Sequence, residues 1–249
     1  MIRLLEGKAD VVIPDLRGFG ESDKHLEEPT VAYSAAAQAR SVLGLIDELG
    51  LANPVVAGYD IGSRIAQTIA HTAPNRVRAI VVSPPVPGAG NRVLTPDAIR
   101  EYWYQAFHHL DLAPQLIDGD FQAVRAYLHH FWSHWSGPNF TPSETEMVRL
   151  AARYAWPGAF TASIGWYRAG SGTVARSLAE KTPAPSERIR STTLILWPEH
   201  DPLFPQAWSD RVSEFFSSAT VRMLPGVGHF VPVEAPREFA SAIQEVLNR

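Results

Sequence analysis

The 249-residue chain contains no cysteine. Disulfides, zinc–thiolate centres and cysteine nucleophiles are therefore excluded. It also lacks any apolar run close to the ~18 residues that a spanning helix needs. Its opening residues, MIRLLEGKADVVIPD, form no signal-peptide core, because Glu6, Lys8 and Asp10 interrupt them. A cytoplasmic protein is expected. No excess of basic residues is present: the net charge is −4, which argues against nucleic acid or an anionic membrane as partner. No His-Glu-x-x-His pattern occurs, and the histidines His108, His109, His129, His130 and His134 read as packing or surface groups rather than metal ligands. Internal repeats and low-complexity tracts are absent too. What remains is an ordinary globular composition, 45% hydrophobic and 19% charged.

Short apolar runs alternate with helical patterns. Residues 10–14 (DVVIP), 53–59 (NPVVAGY), the run RVRAIVVSPP, 191–199 (STTLILWPE) and 219–224 (ATVRML) read as strands. Val42, Leu45, Ile46 and Leu49 share a helix face that Gly50 ends. Ile65, Ala66, Ile69 and Ala70 share another. Helical segments are also expected around 206–216 and from Pro236 onward, where Phe239, Ile243, Val246 and Leu247 align. Strands this apolar, separated by helices, imply an α/β fold with a mostly parallel sheet flanked by helices. From 87 to 188 the rhythm breaks into aromatic, helical sequence without an obvious strand. The expected organisation is a core of 1–86 and 189–249 with an inserted helical cap, 87–188, over the carboxyl ends of the strands, where α/β sheets bind ligands.

Within the strand-to-helix transition lies Gly58-Tyr59-Asp60-Ile61-Gly62, a Gly-x-nucleophile-x-Gly turn with a carboxylate at its centre. The glycines are expected because the turn leaves no room for a Cβ against neighbouring backbone. Alone, the motif reads equally as a glycine turn with a surface aspartate. It is accompanied by Asp201, just past the strand at 191–199, and by His229, in the glycine-framed loop after 219–224. That order, nucleophile, acid, histidine, is the order of the nucleophile-elbow fold. Read singly, Asp201 is a turn or cap residue and His229 a loop histidine.

Together with Asp15-Leu16-Arg17-Gly18-Phe19-Gly20-Glu21-Ser22-Asp23, Trp197-Pro198-Glu199-His200-Asp201 and Gly226-Val227-Gly228-His229-Phe230, the elbow resembles the α/β-hydrolase superfamily, in its epoxide hydrolase and dehalogenase branch. The resemblance runs from about residue 9 to the end. It implies Asp60 as nucleophile, His229 as base, Asp201 as the acid that orients it, and the Ile61 amide in the oxyanion hole. A carboxylate suits such chemistry, since it can displace at a saturated carbon and the resulting ester can be hydrolysed. The resemblance further implies two cap tyrosines that donate to the epoxide oxygen, matched here by Tyr104 and Tyr167, with Tyr102 as the alternative to the first and most aromatics simply packing. Trp103, Gln105 and Trp166 are expected in the substrate pocket. No cofactor is implied; the expected partners are a small apolar epoxide and water. Dehalogenases of this branch carry tryptophan or arginine where Ile61 stands; Arg64 reads as a helix-face residue rather than a carboxylate clamp. A haloacid or haloalkane dehalogenase and a non-catalytic binding protein remain alternatives. The family's His-Gly-x-Pro loop and about its first three strands have no counterpart, so an N-terminally truncated sheet with a gap or a re-pairing beside 10–14, and poor stability or weak activity, are expected.

Overall fold

The computed structural model describes residues 1–249 and contains one sheet of four parallel strands in the order β1-β2-β3-β4. The strands are β1 (Val55–Gly58), β2 (Ala79–Val82), β3 (Thr192–Pro198) and β4 (Ala219–Leu224). Val55 pairs with Ala79, Ala79 with Thr192, and Thr193 with Ala219, so the registers bring the carboxyl ends of the strands to one side.

Successive side chains on β2 and β3 point to opposite faces, and both faces are covered. Ile80, Val82, Ile195 and Trp197 join Ile65, Ala66 and Ile69 of the helix Ile61–Thr72. Ala79, Val81, Leu194 and Leu196 meet Phe239, Ala240, Ile243 and Val246 of the helix Pro236–Leu247. This two-sided burial explains why β2 is apolar at every position. The helix Ala35–Glu48 begins at Ser34, whose side chain caps Ala37 N–H. Its end is followed by Gly50 at φ +63°, a conformation glycine adopts without strain. The segment at 206–216 splits into a 3₁₀ turn, Gln206–Arg211, and one α turn, Val212–Phe215.

One expected strand does not form. Residues 9–16 carry no regular structure, and Val11, Val12 and Ile13 are exposed. The run has the composition of a buried strand, but it lies along no strand and forms no ladder, although the outer edge of β1 is unpaired. It neither re-pairs with β1 nor enters the sheet, and β1 stands at the edge, only half-buried.

Between β2 and β3 all the regular structure is helical. The principal helices are Pro96–His108, Phe121–His134 and Glu144–Tyr154, followed by the short helices Ala159–Ser163, Gly165–Arg168 and Thr173–Leu178. Thr95, Asp120 and Ser143 cap the three longer ones through their side chains.

Candidate active site

Asp60 sits between β1 and the helix Ile61–Thr72, at φ +48° and ψ −123°. An L-residue there costs about 1–3 kcal/mol, so the position is strained. Gly58 makes the turn possible: a Cβ on it would meet the Gly62 carbonyl carbon at 2.4 Å and its oxygen at 2.5 Å. Gly62 differs from expectation, because a Cβ there would meet nothing within 4 Å; its backbone, not its missing side chain, is what the turn uses. Asp60 makes no side-chain cap to the helix it precedes. Its carboxylate is free for chemistry, at a helix end whose dipole favours negative charge.

His229 is buried, and its Nδ1 lies 2.9 Å from Asp201 Oδ2. The other Asp201 oxygen accepts from Leu203 N–H at 2.9 Å, so the carboxylate is held at both ends. Past the strands, the β3 and β4 loops stay joined: Glu199 N–H donates to Leu224 O, His200 N–H to Val227 O, and Gly226 N–H to Glu199 Oε2. That stitching places Asp201 beside the histidine. The His229 Nε2 has no hydrogen-bond partner and lies 3.6 Å from Asp60 Oδ2. Burial disfavours the charged imidazole, but Asp201, by charge and hydrogen bond, and Asp60 outweigh it and raise the pKa to about 10.

Above Asp60 lies a cavity of about 220 Å³, lined almost wholly by apolar and aromatic side chains. Tyr104 and Tyr167 both line it, together with Asp60 and Ile61. Their rings meet edge to face with centroids 5.5 Å apart. Both hydroxyl pKa values are raised: for Tyr104 by burial and then by the Asp60 charge, for Tyr167 by burial, then Tyr104 and Asp60. Both tyrosines therefore carry their protons at neutral pH. Tyr102, the alternative, is occupied elsewhere, its hydroxyl donating to Leu203 O at 2.5 Å.

Three residues expected in the pocket do not line it. Trp103 turns outward, 41% exposed, and stacks on Phe131. The helix Pro96–His108 buries Tyr104, Gln105 and His108, which leaves Trp103 on the solvent side. Trp166 is buried in the main core cluster. Gln105 lies behind Tyr104: its Nε2 donates to the Tyr104 hydroxyl oxygen at 3.0 Å, and its Oε1 accepts from Val174 N–H at 3.0 Å. The lining is supplied instead by Phe19, Tyr59, Tyr127, Phe131, Trp135 and Tyr154, among others.

Phe19 comes from the turn after the unpaired 9–16 segment, the only lining residue from that part of the chain. His108 also reaches the cavity. Burial lowers its pKa to about 3, with Arg168 and His109 adding to the effect, and its Nε2 lies 2.6 Å from the Tyr127 hydroxyl. His130 and His134 stack on the surface, and His134 meets Glu101 at 2.8 Å. Arg64 does not line the cavity; its Nη2 donates to Val86 O at 3.4 Å. A separate depression of about 300 Å³ around Ser209–Val221 has Asp210 as its only charged residue and none of this chemistry.

The family model of the alpha/beta hydrolase fold matches residues 1–236 of the chain. Soluble epoxide hydrolase of Corynebacterium sp. (strain C12) is 28% identical over 95% of this chain and 80% of its own length. Epoxide hydrolase 3 of Mus musculus is 24% identical over 95% of this chain. The chain spans 63% of the mouse protein's length. Among solved structures, epoxide hydrolase CorEH superposes with a TM-score of 0.80 at 24% identity, covering 99% of this chain and 84% of that one. No helix is long and apolar enough to cross a membrane.

Proposed function

The chain belongs to the α/β-hydrolase family, and from that premise we propose that it opens a small apolar epoxide to a vicinal diol through an ester on Asp60. The fold hosts many reactions, so the reading rests on the site. The observation that carries it is a single aromatic cavity lined at once by the strained Asp60 and by two protonated tyrosines, with the His229–Asp201 pair beside the same carboxylate. The epoxide hydrolase relatives support the same choice.

In this mechanism the Asp60 carboxylate attacks an epoxide carbon. The carbon–oxygen bond breaks, and the alkoxide takes a proton from Tyr104 or Tyr167. His229 then removes a proton from water, which attacks the ester carbonyl; the oxyanion faces the Ile61 amide at the helix N-terminus. Collapse releases the diol, whose alkoxide takes back the proton from His229, and the Asp60 acid passes its remaining proton to the imidazole, restoring carboxylate and imidazolium. Esterification also cancels the Asp60 charge, one of the causes that hold the imidazole protonated. With that charge gone, the His229 imidazolium gives its proton to the tyrosinate left by ring opening, which restores the tyrosine and leaves a neutral imidazole able to act as base. The helical insertion acts as the cap that supplies the tyrosines and excludes water.

A dehalogenase reading lacks a halide-cradling residue at position 61, which is Ile61. The deciding experiment is intact-mass measurement after incubation with a panel of epoxides and haloalkanes. Asp60→Asn is expected to form no adduct, and His229→Ala to accumulate one equal in mass to the whole epoxide. An adduct that has lost halide would favour the dehalogenase. No adduct in the histidine variant with any reagent would favour a binding protein without turnover.

A further inference from the structure

One carboxylate joins the histidine loop to the helical insertion. Glu234 Oε2 accepts from Gly228 N–H at 2.8 Å, in the loop immediately before His229, and from Gly137 N–H at 2.8 Å, just past the helix Phe121–His134. Its Oε1 accepts from Phe230 N–H at 3.0 Å. Three backbone donors thus converge on one side chain, two flanking His229 and one from the insertion. The same junction carries a backbone bond, His229 N–H to Trp135 O at 2.8 Å. Trp132 stacks on Phe230 with ring centroids 4.0 Å apart.

The glycines show how closely the two strands of backbone approach. A Cβ on Gly228 would meet Gly137 N at 2.2 Å and Trp135 O at 2.4 Å. A Cβ on Gly137 would meet Gly226 O at 2.5 Å and Glu234 Oε2 at 3.0 Å. Nothing in the reaction calls on Glu234 to touch substrate, and it does not line the cavity.

We propose that Glu234 is a positioning residue whose carboxylate pins the His229 loop to the insertion, so that the base is held over Asp60 only while the insertion is docked. This rests on the role given to His229 above. Charge-assisted bonds to backbone amides are strong and directional. A carboxylate accepts at both oxygens, whereas a carboxamide would turn one N–H₂ toward donors. The loop would then shift, and Asp60, carried by a different part of the sheet, would not.

The test separates the two chemical steps. Glu234→Gln is expected to form the Asp60 ester at nearly the wild-type rate and to hydrolyse it about 10²-fold more slowly, so that adduct accumulates. Gly137→Ala, which wedges the same junction without removing charge, should give the same imbalance. In the absence of any substrate, the downfield proton resonance of the His229 Nδ1–Asp201 hydrogen bond should shift or broaden in Glu234→Gln. Equal slowing of both steps together with a lower melting temperature would reduce Glu234 to a merely structural residue and overturn the proposal, as would no change in either step. Should the wild type form no ester with any epoxide, the reaction scheme fails, while the proton resonance still decides whether Glu234 holds the histidine.

Discussion

Replacing Asp60 by asparagine should lower the pKa of His229. Two opposite unit charges 3.6 Å apart attract by roughly 5 kcal/mol at an effective dielectric of about 20. The Asp60 side chain is 40% exposed, so water screens much of that, and a shift of about 1–3 units is the expected size. From a starting value of about 10, the variant should titrate near about 7–9. The assay is a titration of the His229 ring signals by NMR in both proteins. The sign extends to stability. A histidine whose folded pKa exceeds its unfolded value of about 6.5 stabilises the fold fully below that pH and loses the contribution as pH rises through the folded pKa. In the wild type that loss should occupy the range from about 6.5 to about 10; in Asp60→Asn it should be complete at lower pH. A His229 titration that stays put in the variant would refute the argument that ester formation switches the base on, because the ester removes the same charge.

Tyr104→Phe and Tyr167→Phe should each slow ester formation by about 10²-fold, the scale of one proton donor, and leave hydrolysis of a preformed ester almost unchanged; rapid-quench mass measurement separates the steps. Tyr102→Phe should do the opposite, leaving ring opening intact while costing about 1–3 kcal/mol of stability in denaturant melts, because the buried Leu203 carbonyl loses its donor.

The sequence revealed those elements whose identity is local. A run such as Ala79–Val82 is apolar at every position because both its faces are covered, and the elbow announces itself through Gly58, where backbone contact forbids any Cβ. The chain order of Asp60, Asp201 and His229 was legible because each follows a strand whose end is marked by glycine or proline. Residues 10–14 were not legible: their composition suits a strand, but a strand exists only where the chain is laid alongside a partner, and that placement is a property of the whole sheet. Pocket membership failed for the same kind of reason. Trp103 and Tyr104 are adjacent in sequence and point to opposite environments, since the rotation of their helix is set by packing against Phe131, Trp135 and Tyr167. Tyr127 and Tyr154 reach the cavity from two other helices with no motif to announce them. Glu234 carries no signal at all until Gly137, more than ninety residues earlier, is brought beside it.

The position of β1 at the sheet edge bears on how the molecule breathes. Edge strands with unpaired outer backbone open more readily than central ones. β1 and β4 are both edges, but β1, which leads into Asp60, pairs along only four residues, while β4, which precedes His229, pairs with β3 along six. Amide protection should therefore fall from β3 toward β1, and Asp60 should be the first member of the site to lose its place as denaturant is added. Its activity would then fade before the bulk of the sheet unfolds, leaving a population that still looks native by circular dichroism but has lost the alignment between carboxylate and imidazole.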